Sequence, residues 1–165
     1  MVSIRRLIVG KVKASNSDAF QYRDDVYRYL FARINHAEEA EDLAMEVVHA
    51  ASGIANDNLK TYMIGIARHK VADHFRRKSV RRFSEVIEGE ATPDNTDQFL
   101  AIQTVLGQLP EKYQECLVLK YICGFSVDEV AGMLAQSKGA VDSTLQRAKK
   151  AFATEWNRLN GEEHE

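Results

Sequence analysis

Lys60, Arg68, Lys70, Arg76, Arg77, Lys78, Arg81 and Arg82 crowd into one stretch of the chain that contains a single acid, Asp73. Cations at this density neutralise phosphates, and Tyr62 near the start of the run adds a flat ring against which an unstacked base can lie. Together they have the chemistry of single-strand nucleic-acid capture. The plainer reading is a charged helix end that serves solubility, with Tyr62 as a core aromatic; both stay open on these residues alone. The preceding stretch has the opposite sign. His36 to Asn58 holds Glu38, Glu39, Glu41, Asp42, Glu46 and Asp57 without one Lys or Arg. Surface helices ordinarily mix signs so that i,i+4 pairs form. An unmixed acidic face therefore reads as a handle for a partner, against the alternative of a solvated face. A third cluster lies near the C-terminus, where Lys138, Ser143, Gln146, Arg147, Lys149 and Lys150 are suited to phosphates or base edges. Backbone N–H groups from Ser137 through Gly139 to Ala140 would open that helix toward a phosphate.

Helices must position all three clusters. From Asp18, Phe20, Tyr27, Leu30, Phe31 and Ile34 recur at helical spacing. A second helix begins near Ala37, with Ala40, Leu43, Ala44, Val47, Val48 and Ala51 inward and the carboxylates outward. Asn58 is placed to cap a third, which buries Leu59, Met63, Ile66, Ala67, Val71 and Phe75 and ends in the basic run, where cations suit the helix dipole. Periodicity then lapses through Glu88-Gly-Glu-Ala-Thr-Pro-Asp-Asn-Thr-Asp, an acidic linker. It resumes near Asp97. Pro110 suits the first position of a further helix, which Gly124 would terminate. Ser126 and Glu129 form a capping-box signature. A short helix with Val130, Ala131 and Leu134 inward follows, then a turn at Ala135-Gln-Ser137, then a long helix with Val141, Leu145, Ala148, Phe152 and Trp156 on one stripe. Short helix, tight turn and second helix match the helix-turn-helix that enters a major groove. The plainer reading is a helical hairpin that touches no DNA.

The expected fold is all-α, with two small helical domains joined by an acidic linker. The boundaries are an N-terminal extension at 1–16, a helical bundle at 17–82, the linker at 83–97, a helix-turn-helix domain at 98–160 and a tail at 161–165. At 165 residues and 45% hydrophobic content, the chain has enough apolar material for such cores. Its apolar runs fall short of the ~20 residues a membrane span needs, and the first residues carry no secretory pattern, so a cytoplasmic protein is expected. Cys116 and Cys123 lack further ligands at metal spacing and read as buried thiols. His36, His49, His69, His74 and His164 are scattered, and no phosphate-binding glycine loop or nucleophile with a base stands out. Catalysis, a metal and a cofactor are therefore not expected.

These strings resemble a bacterial RNA polymerase sigma factor of the compact, extracytoplasmic-function type, over about residues 18 to 159. The resemblance rests on Ala40-Glu-Asp-Leu-Ala-Met-Glu-Val47, Tyr62-Met-Ile-Gly-Ile-Ala-Arg-His-Lys-Val-Ala-Asp73-His-Phe-Arg-Arg-Lys78, Leu109-Pro-Glu-Lys-Tyr113, Gly124-Phe-Ser-Val-Asp-Glu-Val-Ala131 and Gly139-Ala-Val-Asp-Ser-Thr-Leu-Gln-Arg-Ala148. It implies that Glu41, Asp42, Leu43, Glu46 and Val47 dock on the clamp helices of the polymerase largest subunit. It implies that Tyr62, Arg68, Lys70, Arg76, Arg77 and Lys78 hold the melted minus-ten strand with a flipped base in a pocket. Ser137, Lys138, Gly139, Ser143, Gln146, Arg147, Lys149 and Lys150 would meet the minus-thirty-five duplex. The polymerase flap, promoter DNA and an anti-sigma factor complete the implied partners. The family more often has Gln at Met45, Trp at Tyr62, Asn at His69, and basic residues at Asp142 and Thr144.

Two further readings stand beside this one. A stand-alone helix-turn-helix regulator would need enough positive charge to bind duplex unaided, yet the second domain with its flanking segments is net acidic. A degenerate sigma-like protein would bind polymerase and only sequester it. The formal net charge of −2 suits the leading reading, because such a chain would bind DNA poorly without its enzyme.

Overall fold

The computed structural model describes residues 16–81 and 97–161, with side chains from 18 to 78 and from 98 to 161. The chain divides into two compact units, Met1–Glu88 and Gly89–Glu165. Among the described residues every regular element is helical. The N-terminal extension, the linker and the tail expected from sequence fall almost wholly outside these residues, as do Arg82 and the side chain of Arg81.

The first unit contains α1 (Asn16–Phe20), α2 (Arg23–Ile34), α3 (Ala37–Ala51) and α4 (Leu59–Arg81). The continuous helix expected from Asp18 is two helices, broken at Gln21 and Tyr22. The break changes the helical phase. Phe20 is left 56% exposed, and the buried face is set by Val26, Tyr29 and Leu30, all at 0%. α2 ends on Asn35 in the left-handed conformation (φ 58°), whose N–H bonds the Phe31 carbonyl at 2.9 Å. α3 opens with an unexpected cap, the His36 Nδ1 accepting from the Glu39 N–H at 3.2 Å. Its small apolar side, Ala40, Ala44, Val47, Val48 and Ala51, is buried as expected, whereas Leu43 is half-buried. Such short side chains let a helix approach its neighbours closely, and α3 packs on both α2 and α4. Asn58 does start α4: its carbonyl takes the Tyr62 N–H at 3.0 Å, and its own N–H is held by Asn56 Oδ1 at 2.8 Å. α4 buries Leu59, Met63, Ala67 and Val71, adds the fully buried Ile64, and leaves Ile66 and Phe75 half-exposed. The buried Arg33 guanidinium lies 5.9 Å from the Phe75 ring centroid, a cation–π contact that occupies that ring.

The second unit contains α5 (Asp97–Gln108), α6 (Glu111–Leu117), a π-turn (Val118–Ile122), α7 (Val127–Leu134) and α8 (Lys138–Gly161). Pro110 precedes α6 as its cap residue instead of occupying its first position; the Pro110 carbonyl accepts from Tyr113 and Gln114. The helix expected to run on to Gly124 widens into this turn after α6. The Cys123 N–H reaches back five residues to the Val118 carbonyl, before Gly124 (φ 77°) turns the chain away. Ser126 and Glu129 close the expected capping box, with bonds of 2.7 and 3.1 Å. Val105, Val118, Leu119, Val130, Val141 and Ala148 are at most 1% exposed and form the core, with Leu134, Phe152 and Trp156 at its margin. Both cysteines are free and buried, and burial pushes the Cys116 thiol up, with Glu115 adding and Lys112 opposing.

Ala135 holds the left-handed conformation (φ 52°) that ends α7, at a cost of about 1–2 kcal/mol for an L-residue. Ala135→Gly removes that strain but enlarges the unfolded ensemble, for a net gain of about 0.5 kcal/mol. Ala135→Val should lose about 1–2 kcal/mol. Urea midpoints followed by fluorescence of Trp156, the sole tryptophan, test this order directly.

Candidate nucleic-acid interface

Helical period divides α3 into two faces. Opposite its alanines, Glu41, Asp42, Met45, Glu46 and His49 are all exposed, with Leu43 half-buried beside them. Four of the five implied docking residues are thus accessible. Val47 is not: at 0% exposure it faces α2 and α4, because it lies on the alanine side of the helix. It supports the face from beneath and is removed from the contact set. Met45, 45% exposed among the carboxylates, belongs on that face and was missed. Its position four residues after Glu41 was the available signal. Tyr27 of α2 lies close enough for Glu41 to help raise its hydroxyl pKa, although burial contributes more and Arg23 opposes.

α4 presents its own stripe. Tyr62, at 38% exposure, is a surface ring and not a core aromatic. His69 and Arg76 follow it at seven-residue steps, and Arg77 and Lys78 are exposed beside Arg76. Arg68 and Lys70 are half-buried on the flanks. Several cations have acidic neighbours: Arg76 Nη2 lies 3.0 Å from Asp73 Oδ1, and Lys70 Nζ 2.6 Å from Glu46 Oε2. His74 Nδ1 sits 2.6 Å from Glu39 Oε1. Two of these polar contacts, Lys70 with Glu46 and His74 with Glu39, cross the α3–α4 seam, where no spacing rule exposes them.

In the second unit, Ser137, Lys138, Gly139, Ser143, Gln146, Arg147, Lys149 and Lys150 are all exposed. Gly139, Ser143, Gln146 and Lys150 fall on one face, and Arg147 and Lys149 flank it. Ser137 Oγ accepts the Ala140 N–H at 3.1 Å, and its carbonyl accepts the Val141 N–H at 3.1 Å. The N–H groups left for an anion at this terminus are those of Lys138 and Gly139. Lys138 lies 3.8 Å from Asp128 of α7, which offsets part of its charge. Lys149 sits 5.5 Å from the centroid of Tyr121, a ring the π-turn leaves 56% exposed. Thr144, where the resemblance implies basic residues in the family, does not reach the surface in this chain. It is 2% exposed, its hydroxyl bonded to the Ala140 carbonyl at 2.9 Å, so it belongs to the packed interior of the second unit. Asp142 is exposed. Among the described residues no cluster of His, Cys, Asp or Glu is arranged to hold a metal, and no helix is long and apolar enough to cross a membrane.

Residues 20–81 match Sigma-70 region 2, and residues 99–152 match Sigma-70, region 4. The two units thus carry the two halves of a promoter-directing subunit of RNA polymerase. Similarity to individual proteins narrows the class. The ECF RNA polymerase sigma factor BldN of Streptomyces coelicolor is 32% identical over 169 residues, which cover 88% of this chain and 63% of that protein. The RNA polymerase sigma factor YlaC of Bacillus subtilis is 30% identical over 145 residues, 78% of this chain and 84% of YlaC. The sigma factor RpoE of Bartonella quintana, solved in complex with the anti-sigma factor NepR, shares the fold, with a TM-score of 0.70 at 17% identity over 87% of this chain and 96% of that one. This chain belongs to the ECF RNA polymerase sigma factors of the sigma-70 family.

Burial separates support from contact. Val47→Ala should cost the first unit about 2 kcal/mol through lost methyl burial and a cavity, and Asp42→Asn should stay within about 0.5 kcal/mol. Thr144→Arg should destabilise the second unit by about 3 kcal/mol instead of adding a DNA contact. Denaturant titrations, by circular dichroism for the first unit and Trp156 emission for the second, measure all three.

Proposed function

We propose that α3 docks this chain on the clamp helices of core RNA polymerase through Glu41, Asp42, Leu43, Met45 and Glu46. The outward face of α4 then takes the melted minus-ten strand, with Tyr62 stacking on a base and Arg76, Arg77 and Lys78 meeting phosphates. Arg68 and Lys70 line the flanks of that path. In the other unit, α8 meets the minus-thirty-five duplex, and the remainder of that unit faces the polymerase flap. Within each domain, as bounded from sequence at 17–82 and 98–160, one surface serves DNA and another the enzyme. The chain supplies placement and no bond-making step. It works where polymerase works, in the cytoplasm, and an anti-sigma factor of the kind solved with the Bartonella relative is a further partner.

One observation carries this reading: an acidic stripe and a basic, aromatic stripe occupy neighbouring, packed helices of one bundle. A protein that docks by one stripe necessarily aims the other. The stand-alone regulator finds less support, because Lys138 is offset by Asp128 and exposed Asp142 sits beside the DNA face of α8.

Transcription reconstituted with core polymerase on a genomic fragment library should yield defined starts that vanish without the protein; complex formation without transcripts would favour the sequestering reading. Glu41→Lys with Asp42→Lys should weaken core binding about ten-fold or more at unchanged stability. Arg77→Ala with Lys78→Ala should spare core binding and reduce open complexes, read by permanganate footprinting. Equal loss of both would place these cations in the protein interface.

A further inference from the structure

Glu46 and Lys70 serve different partners in the function proposed above, yet in the free chain they hold each other. The 2.6 Å pair crosses the α3–α4 seam with its side chains 59% and 26% exposed. The second crossing, Glu39 with His74, is more sheltered, at 42% and 13%. Position makes the difference matter. Glu46 belongs to the exposed docking stripe of α3, whereas Glu39 is half-buried in its first turn. An exposed ion pair contributes little to folding, because both charges are well solvated apart. A competing charge therefore exchanges with it at small cost.

We propose that the Glu46–Lys70 pair is an exchange contact. In the free protein it occupies a cation on the DNA side; when a basic group of polymerase takes Glu46, Lys70 passes to a phosphate of the single strand. The inference rests on the docking and strand-binding roles proposed for these helices. Linkage makes it reciprocal: strand binding at Lys70 frees Glu46 and strengthens docking by the same factor. Two other offset cations among the implied DNA contacts differ. Arg76 pairs with Asp73 of its own helix, and Lys138 pairs with Asp128 of the second unit. Neither acid lies on the docking stripe, so docking relieves neither.

Fluorescence anisotropy tests this on the full chain without polymerase, using a labelled single-stranded oligonucleotide of random sequence across a salt series. Glu46→Gln should raise affinity about two- to five-fold at low salt. It should also steepen the slope of log affinity against log salt by about 0.7, the signature of one added phosphate contact on a single strand. Adding Lys70→Gln should return the slope to that of the unaltered chain. Glu38→Gln makes the same charge change on exposed α3 surface away from the pair, and should leave the slope unchanged. Equal effects of Glu38→Gln and Glu46→Gln, an unchanged slope, or no measurable strand binding by Glu46→Gln overturns the proposal. Core binding by the unaltered chain is measured in parallel. Its absence would sink the docking role, whereas core binding with an unchanged Glu46→Gln slope sinks the exchange alone.

Discussion

The first unit depends on the narrow apolar side of α3. Ala40, Ala44, Val47, Val48 and Ala51 pack that helix between α2 and α4 with little side-chain volume to hold the backbones apart. Everything charged on α3 must then leave by the opposite face or along the seams. That single constraint makes an acidic surface, brings it beside a basic one, and sets Glu39 and Glu46 within reach of α4. Larger residues at Ala40 or Ala44 would spread the helices and part those contacts.

Stability and function draw on different atoms in this bundle. Core residues such as Val26, Tyr29, Leu30, Met63 and Ile64 hold the helices together without reaching a surface. Arg33 is the exception among charged groups, drawn inside against Phe75. The exposed cations of α4 add little to the fold, because their charges stay largely in solvent. The second unit repeats this division, with Val141, Thr144, Leu145 and Ala148 packed beneath a fully exposed polar face.

Much of this was legible in the residues. The apolar period of α3, the capping box at Ser126 and Glu129, the cap at Ser137 and the turn at Ala135 all rest on local chemistry, and each appears where local chemistry places it. Failures came where phase was lost or where two helices meet. The break at Gln21–Tyr22 shifts the α2 face, which brings Val26 and Tyr29 inward and leaves Phe20 outside, against the phase of a continuous helix from Asp18. The resemblance implies a docking role for Val47, whereas its own spacing places it in the core, where it is buried. The seam contacts Glu46–Lys70 and Glu39–His74 join residues 24 and 35 positions apart, a relation no local pattern encodes.

The π-turn at Val118–Ile122 has a geometric consequence. One surplus residue in a helical turn works as a phase shifter, moving every later side chain about 100° around the axis from where an unbroken helix would put it. Leu119 stays inward, Tyr121 swings out beneath Lys149, and Gly124 arrives in time to redirect the chain. The joint between α6 and the pair α7–α8 is thus an indexing notch. Its single extra tooth sets the bearing at which the following helices leave.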